Sequence, residues 1–183
     1  MEKLSVRLPS RQDAVPVLSV IVFIVFSWTL YRMFWYIPSW LEYLSVWSVL
    51  ITAAYVLAFA LLESGIVFSL TCLLSFVLPP RLFRQQFIAQ ASSILVGLSI
   101  GAFLLQRKMK LIYRMTYPEL LTYPVMILLS ILALILILNY VFRRFESLTR
   151  FIRLVAERMT IFLYVYVPLG LLGLLIVMFR NIR

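Results

Sequence analysis

The sequence contains no histidine, one cysteine and one aspartate in 183 residues. Each shortage removes a class of chemistry. Without histidine the chain loses the commonest general acid–base and the commonest transition-metal ligand, and no Ser–His pair can form. The lone Cys72 excludes an intramolecular disulfide and any multi-thiolate metal site. Its place inside an apolar run reads as that of a small hydrophobe. Asp13 is the sole aspartate, so no aspartyl dyad is available. Glu42 and Glu119 lie in aromatic, interfacial stretches with no carboxylate partner nearby in sequence. No Gly-rich dinucleotide fingerprint, phosphate loop or zinc spacing occurs. The residues therefore offer no catalytic set, no metal site and no cofactor site, and the reading leans away from an enzyme.

Polar surface is scarce too. Charged residues make up 13% of the chain and hydrophobic ones 64%, with a mean hydropathy of +1.04. A soluble domain is about half apolar. Here the excess falls in blocks long enough to cross a bilayer. The expected fold is an all-α, polytopic helical membrane protein. The segments between blocks are short, so residues 1–183 read as a single integral membrane domain.

Acidic residues are also few, 7 against 17 Lys and Arg, for a net charge of +10. The basic residues sit just outside the apolar blocks. That placement points to anionic lipid headgroups and topology control, and away from nucleic acid.

Five crossings are expected, at about 15–36, 45–78, 87–105, 124–142 and 160–179. The first follows a basic tail and has no small-x-small site after it, so it reads as an uncleaved helix. Near its far end Arg32 lies among Trp28, Tyr31, Trp35, Tyr36 and Trp40, an aromatic belt around a snorkelling arginine. The third carries Ala89, Ser93, Gly97 and Gly101 at intervals of four, a small-residue stripe suited to close helix packing. That stripe could meet another helix of the chain, a second copy in a homo-oligomer, or a membrane partner subunit.

Between the fourth and fifth crossings lies a basic amphipathic segment. Phe145, Leu148, Ile152, Val155 and Met159 share one helical face. Arg143, Arg150 and Arg153 share another with Glu146 and Glu157. An interfacial helix is expected, with Arg143, Arg144, Arg150, Arg153 and Arg158 on the headgroups.

The second crossing raises the main ambiguity. From Ser45 to Leu78, Glu63 is the only formally charged side chain. If Glu63-Ser64-Gly65 were a turn, the run would be a hairpin and the chain would cross six times. The halves would then be about 15 residues each, and a crossing needs ~20. One long tilted helix costs only modest mismatch, and it is the favoured reading. The positive-inside count agrees. With the N-terminus inside, five crossings place ten Lys and Arg inside and seven outside; six crossings place nine against eight.

Glu63 would then lie near mid-membrane. An intramembrane acid faces the bundle or water, pairs, or takes up a proton. The expected partners are Gln90, Ser93 and Ser99, in a polar clamp between helices. The expected function is a non-enzymatic scaffold, accessory or anchor subunit of a membrane system. The alternative is a small transporter or channel built on Glu63. Short loops and a basic N-terminal tail suit a bacterial plasma membrane with a cytoplasmic N-terminus. A five-helix membrane region with its C-terminus outside resembles the membrane part of lipoteichoic-acid-synthase-type enzymes. Their chemistry resides in an extracytoplasmic domain whose motifs these residues do not carry.

Overall fold

In a computed structural model the described residues are 10–77, 87–107, 144–182 and, between these last two, 126, 129, 130, 133, 134, 136–138 and 140–142. Among them all regular structure is helical. Five helices are bounded: α1 Arg11–Tyr43, α2 Val46–Val77, α3 Phe87–Arg107, α4 Glu146–Arg158 and α5 Ile161–Asn181. The described residues from Met126 to Arg144 are also helical. Three helices, Gln12–Tyr43 within α1, all of α2 and all of α5, are long and apolar enough to cross a membrane, and Phe87–Phe103 is a shorter apolar helix. These are the marks of an integral membrane protein.

Helix α1 starts earlier and ends later than the expected 15–36. At its start Ser10 is the N-cap: its Oγ accepts from the Asp13 backbone N–H at 3.3 Å and donates to the Asp13 carboxylate at 2.6 Å. Asp13 in the first turn also favours the positive helix end. At the other end the helix passes through the aromatic belt and through Pro38 to Tyr43. The belt marks the edge of hydrocarbon; it need not mark the end of a helix. At 33 residues, α1 is about 50 Å long.

Leu44 and Ser45 alone separate α1 from α2, so the two form an antiparallel hairpin. Ser45 caps α2 by accepting from the Ser48 N–H at 3.3 Å. The described part of the helix runs to Val77. It is unbroken through Glu63, Ser64 and Gly65, and the Ser64 hydroxyl donates to the Ala60 carbonyl at 2.7 Å. The hairpin alternative for 45–78 is therefore overturned. Neither half could span alone, and no Pro, Asn or Asp was present to turn the chain.

Helix α5 runs parallel to α1 and antiparallel to α2. Phe23 meets Phe162, and Phe26 stacks on Tyr166 at 5.2 Å. Gly170 faces Leu61, Gly173 faces Ala54 and Ala58, and the Tyr55 hydroxyl donates to Asn181 at 3.1 Å. Ser10 and Ile182 thus lie at opposite ends of the bundle. Lipid gives no hydrophobic drive for helices to associate, so close packing must hold them. Two clusters do this. Val22, Phe26 and Ala60 bury against Leu163, Tyr166 and Val167. Val17, Val20 and Ile21 bury against Ile88, Ala91 and Ile94 of α3 and Ala156 of α4.

Candidate functional site

Glu63 sits in the middle of α2, on its outward face. It is exposed, as are Phe59, Leu62, Ile66, Leu70 and Leu73 on the same side. Among the described residues it makes no hydrogen bond or ion pair. The adjacent Ser64 is buried, because one helical step of 100° turns it toward the bundle. The inward face of α2 is instead lined by small residues: Ala54, Ala58, Ala60, Ser64, Thr71 and Ser75 are all buried. They let α1 and α5 close on one side of α2 and leave Glu63 on the other.

Its depth follows from α4. The Ser19 hydroxyl, buried near the start of α1, donates to the Ala156 carbonyl at 3.1 Å and to the Pro16 carbonyl at 2.6 Å. This ties the amphipathic helix to one end of the bundle. On α2 the same cluster takes in Val67, Phe68 and Leu74, the last of them eleven positions beyond Glu63. Eleven helical steps are about 16 Å. Half of a hydrocarbon core is ~15 Å. If α4 lies at the membrane surface, Glu63 is near the midplane.

The residues expected to clamp Glu63 are not brought to it. Gln90 is buried in the first turn of α3. Its neighbours Ile88 and Ala91 pack at the level of Val17 to Ile21. Ser93 is half-buried. Ser99 donates to the Leu95 carbonyl of its own helix at 2.7 Å. The buried serines in this region are Ser75 and Ser92. Ser92 lies one residue from the expected Ser93, a step the sequence could not resolve because both are serines. Gln90, Ser92, Ser75, Thr71 and Ser19 all fall toward the α4 end of the bundle, away from the outward carboxylate. Among the described residues no group of His, Cys, Asp and Glu could hold a metal ion.

The stripe on α3 is used unevenly. Ala89 is buried. A Cβ on Gly97 would meet Leu134 at 3.2 Å, and one on Gly101 would meet nothing within 4 Å. A tighter approach occurs between α5 and α2. A Cβ on Gly173 would come within 2.6 Å of the Ala54 carbonyl oxygen. Half of this seam consists of ordinary alanines of α2, so its spacing carries no regular small-residue signal.

Helix α4 has three faces. Thr149, Ile152, Ala156 and Met159 turn toward the bundle and are at least half-buried. The polar face pairs internally, Arg150 with Glu146 at 3.6 Å and Arg153 with Glu157 at 2.9 Å. Such exposed i,i+4 pairs contribute only about 0.3–0.5 kcal/mol each. The third face is apolar and exposed, comprising Leu148, Phe151, Leu154 and Val155. Arg144 and Arg158 are exposed, and neither has an ion pair among the described residues. Arg143 lies outside them, as do Lys3, Arg7, Arg81 and Arg84. Comparison with known proteins gives no match: no family model, no curated protein and no solved structure aligns with the chain.

Proposed function

We propose that this chain is a non-enzymatic, multi-pass scaffold, accessory or anchor subunit of a membrane system, and that a partner's transmembrane helix covers the Glu63 face of α2. The observation that carries the reading is a carboxyl group in mid-helix, turned away from its own bundle. A charged side chain at a bilayer centre costs about 2.5–3.5 kcal/mol on insertion scales, and such residues face protein or water. The sequence holds no Lys or Arg inside a crossing at that depth. Arg32 is nearest, and it belongs to the aromatic end of α1, where it donates to the Tyr36 hydroxyl at 3.3 Å. A second copy of the chain in the same orientation would bring only its own Glu63 to the contact. A different subunit with a hydrogen-bond donor or a cation at mid-membrane satisfies the acid best. A transport role would need polar groups converging on Glu63 within the bundle, and Gln90, Ser93 and Ser99 lie apart from it.

The proposed topology has five crossings in a bacterial plasma membrane, the fourth at about 124–142, where the described residues from Met126 to Phe142 are helical. Its support is the opposed placement of Ser10 and Ile182. The end of the bundle bearing Ser10 and α4 gathers Arg144, Arg150, Arg153 and Arg158. By the positive-inside rule that end is cytoplasmic.

The test is co-purification from native membrane in mild detergent. Wild type and Glu63→Gln should bring down the same partner at similar yield, because Gln keeps hydrogen bonding. Glu63→Leu should lose it while the protein remains folded. Retention of the partner by Glu63→Leu, or no stoichiometric partner for the wild type, would defeat the proposal.

A further inference from the structure

Between α4 and the first turn of α5 lies an open groove of about 310 Å³, lined by Phe151, Leu154, Val155, Arg158, Met159 and Phe162. That volume is at the small end of the ~300–1,000 Å³ typical of ligand sites. Five of the six side chains are apolar, and Arg158 is the one charge. The other arginines of α4 are already engaged, Arg150 with Glu146 and Arg153 with Glu157. Arg158 stands in the last turn of α4, on the apolar exposed side, away from the polar face that holds those pairs. The groove is therefore a hydrocarbon surface edged by the aliphatic stem of Arg158, whose exposed guanidinium has no ion pair among the described residues, at the end of the bundle that the proposed topology sets at the membrane surface.

We infer that this groove is a site for one anionic phospholipid, its acyl chain lying along Phe151, Val155 and Phe162 and its phosphate held by Arg158. Charge complementarity selects the occupant. An acidic peptide would need further polar partners, and the lining supplies none. A zwitterionic lipid would bring its own cation close to Arg158. A soluble phosphate would leave the apolar length of the groove unfilled. Guanidinium suits phosphate because its fork of N–H donors can engage two oxygens at once.

The full-length protein is placed in nanodiscs of phosphatidylcholine containing a minor fraction of phosphatidylserine, then released and weighed by native mass spectrometry. Wild type should retain one phosphatidylserine in preference to phosphatidylcholine. Arg158→Gln should lower that retention roughly fivefold to tenfold, as loss of one charge-assisted contact implies. Val155→Trp should lower it similarly by filling the groove while leaving the charge in place. Arg150→Gln should change it less than about twofold. Arg158 and Val155 are both exposed, so unchanged far-ultraviolet circular dichroism is expected for each variant. Equal retention of the two lipids by wild type would overturn the inference, as would undiminished phosphatidylserine on Arg158→Gln or Val155→Trp. Displacement by glycerol 3-phosphate would overturn it too, since the site would then read a soluble anion.

Discussion

Gly173→Ala tests the packing on which the position of Glu63 depends. The added methyl would lie 2.6 Å from the Ala54 carbonyl oxygen, 3.1 Å from the Ala58 amide nitrogen and 3.2 Å from the Leu57 Cβ. Two of these three atoms are backbone, so no rotamer change relieves the clash. Helix α5 must move off α2. A separation of ~0.5–1 Å forfeits a quarter to a half of the dispersion attraction at each contact along the seam. Overpacking of this kind typically costs ~1–3 kcal/mol. The better helix propensity of Ala returns up to ~1 kcal/mol. The net expectation is a loss of about 1–2 kcal/mol. Gly65→Ala is the matched control: it lies in mid-helix with nothing within 4 Å of the new Cβ, so only the propensity gain remains. Gly170→Ala should fall between them, because its Cβ would meet side-chain atoms of Leu61 at 2.9 Å and Phe26 at 3.0 Å. Unfolding in mixed micelles by sodium dodecyl sulfate, followed by circular dichroism, should rank Gly65→Ala above wild type, then Gly170→Ala, then Gly173→Ala. Equal midpoints for Gly65→Ala and Gly173→Ala would refute the close α2–α5 contact.

Ser19→Ala removes the hydroxyl that joins α1 to the Ala156 carbonyl, at a cost of about 1 kcal/mol; amide exchange in α4 should quicken while that in α2 stays unchanged, and equal effects on both would contradict a local tie. Ser10→Ala deletes the cap of α1 and should cost ~1 kcal/mol, seen as faster exchange confined to the first turn from Arg11 to Ala14. Cysteine-accessibility labelling should place engineered sites beside Ser10 and Ile182 on opposite membrane faces; labelling from one face alone would end the five-crossing topology.

Much of the fold was legible where local chemistry dominates. The start expected at residue 45 agrees with the observed Val46 to within one residue. The alternation of apolar and basic residues from Phe145 to Met159 announced α4, although it placed Leu148 and Val155 on the same face as Ile152 without showing that Ala156 would be the contact. What stayed hidden was the choice of helix face inside the membrane. In water a helix advertises its inner side by hydrophobicity; in lipid both sides are apolar. Glu63 could be placed in mid-helix from the sequence, but its direction depends on where α1 and α5 pack. The residues deciding that are Ala54, Ala58, Ala60 and Gly173. Alanines in an apolar run carry no mark of their partner. The regular stripe from Ala89 to Gly101 drew attention to α3, yet among the glycines it is Gly173 that has the tightest backbone contact.

The most direct measurement places a photo-crosslinking phenylalanine analogue at Ile66, which is 61% exposed and lies on the Glu63 face of α2, and irradiates native membranes. The expected result is one discrete protein adduct, preserved in Glu63→Gln and absent from Glu63→Leu. Lipid adducts alone, or a protein adduct of equal yield in Glu63→Leu, would contradict the claim that the outward carboxyl group is held by a partner helix.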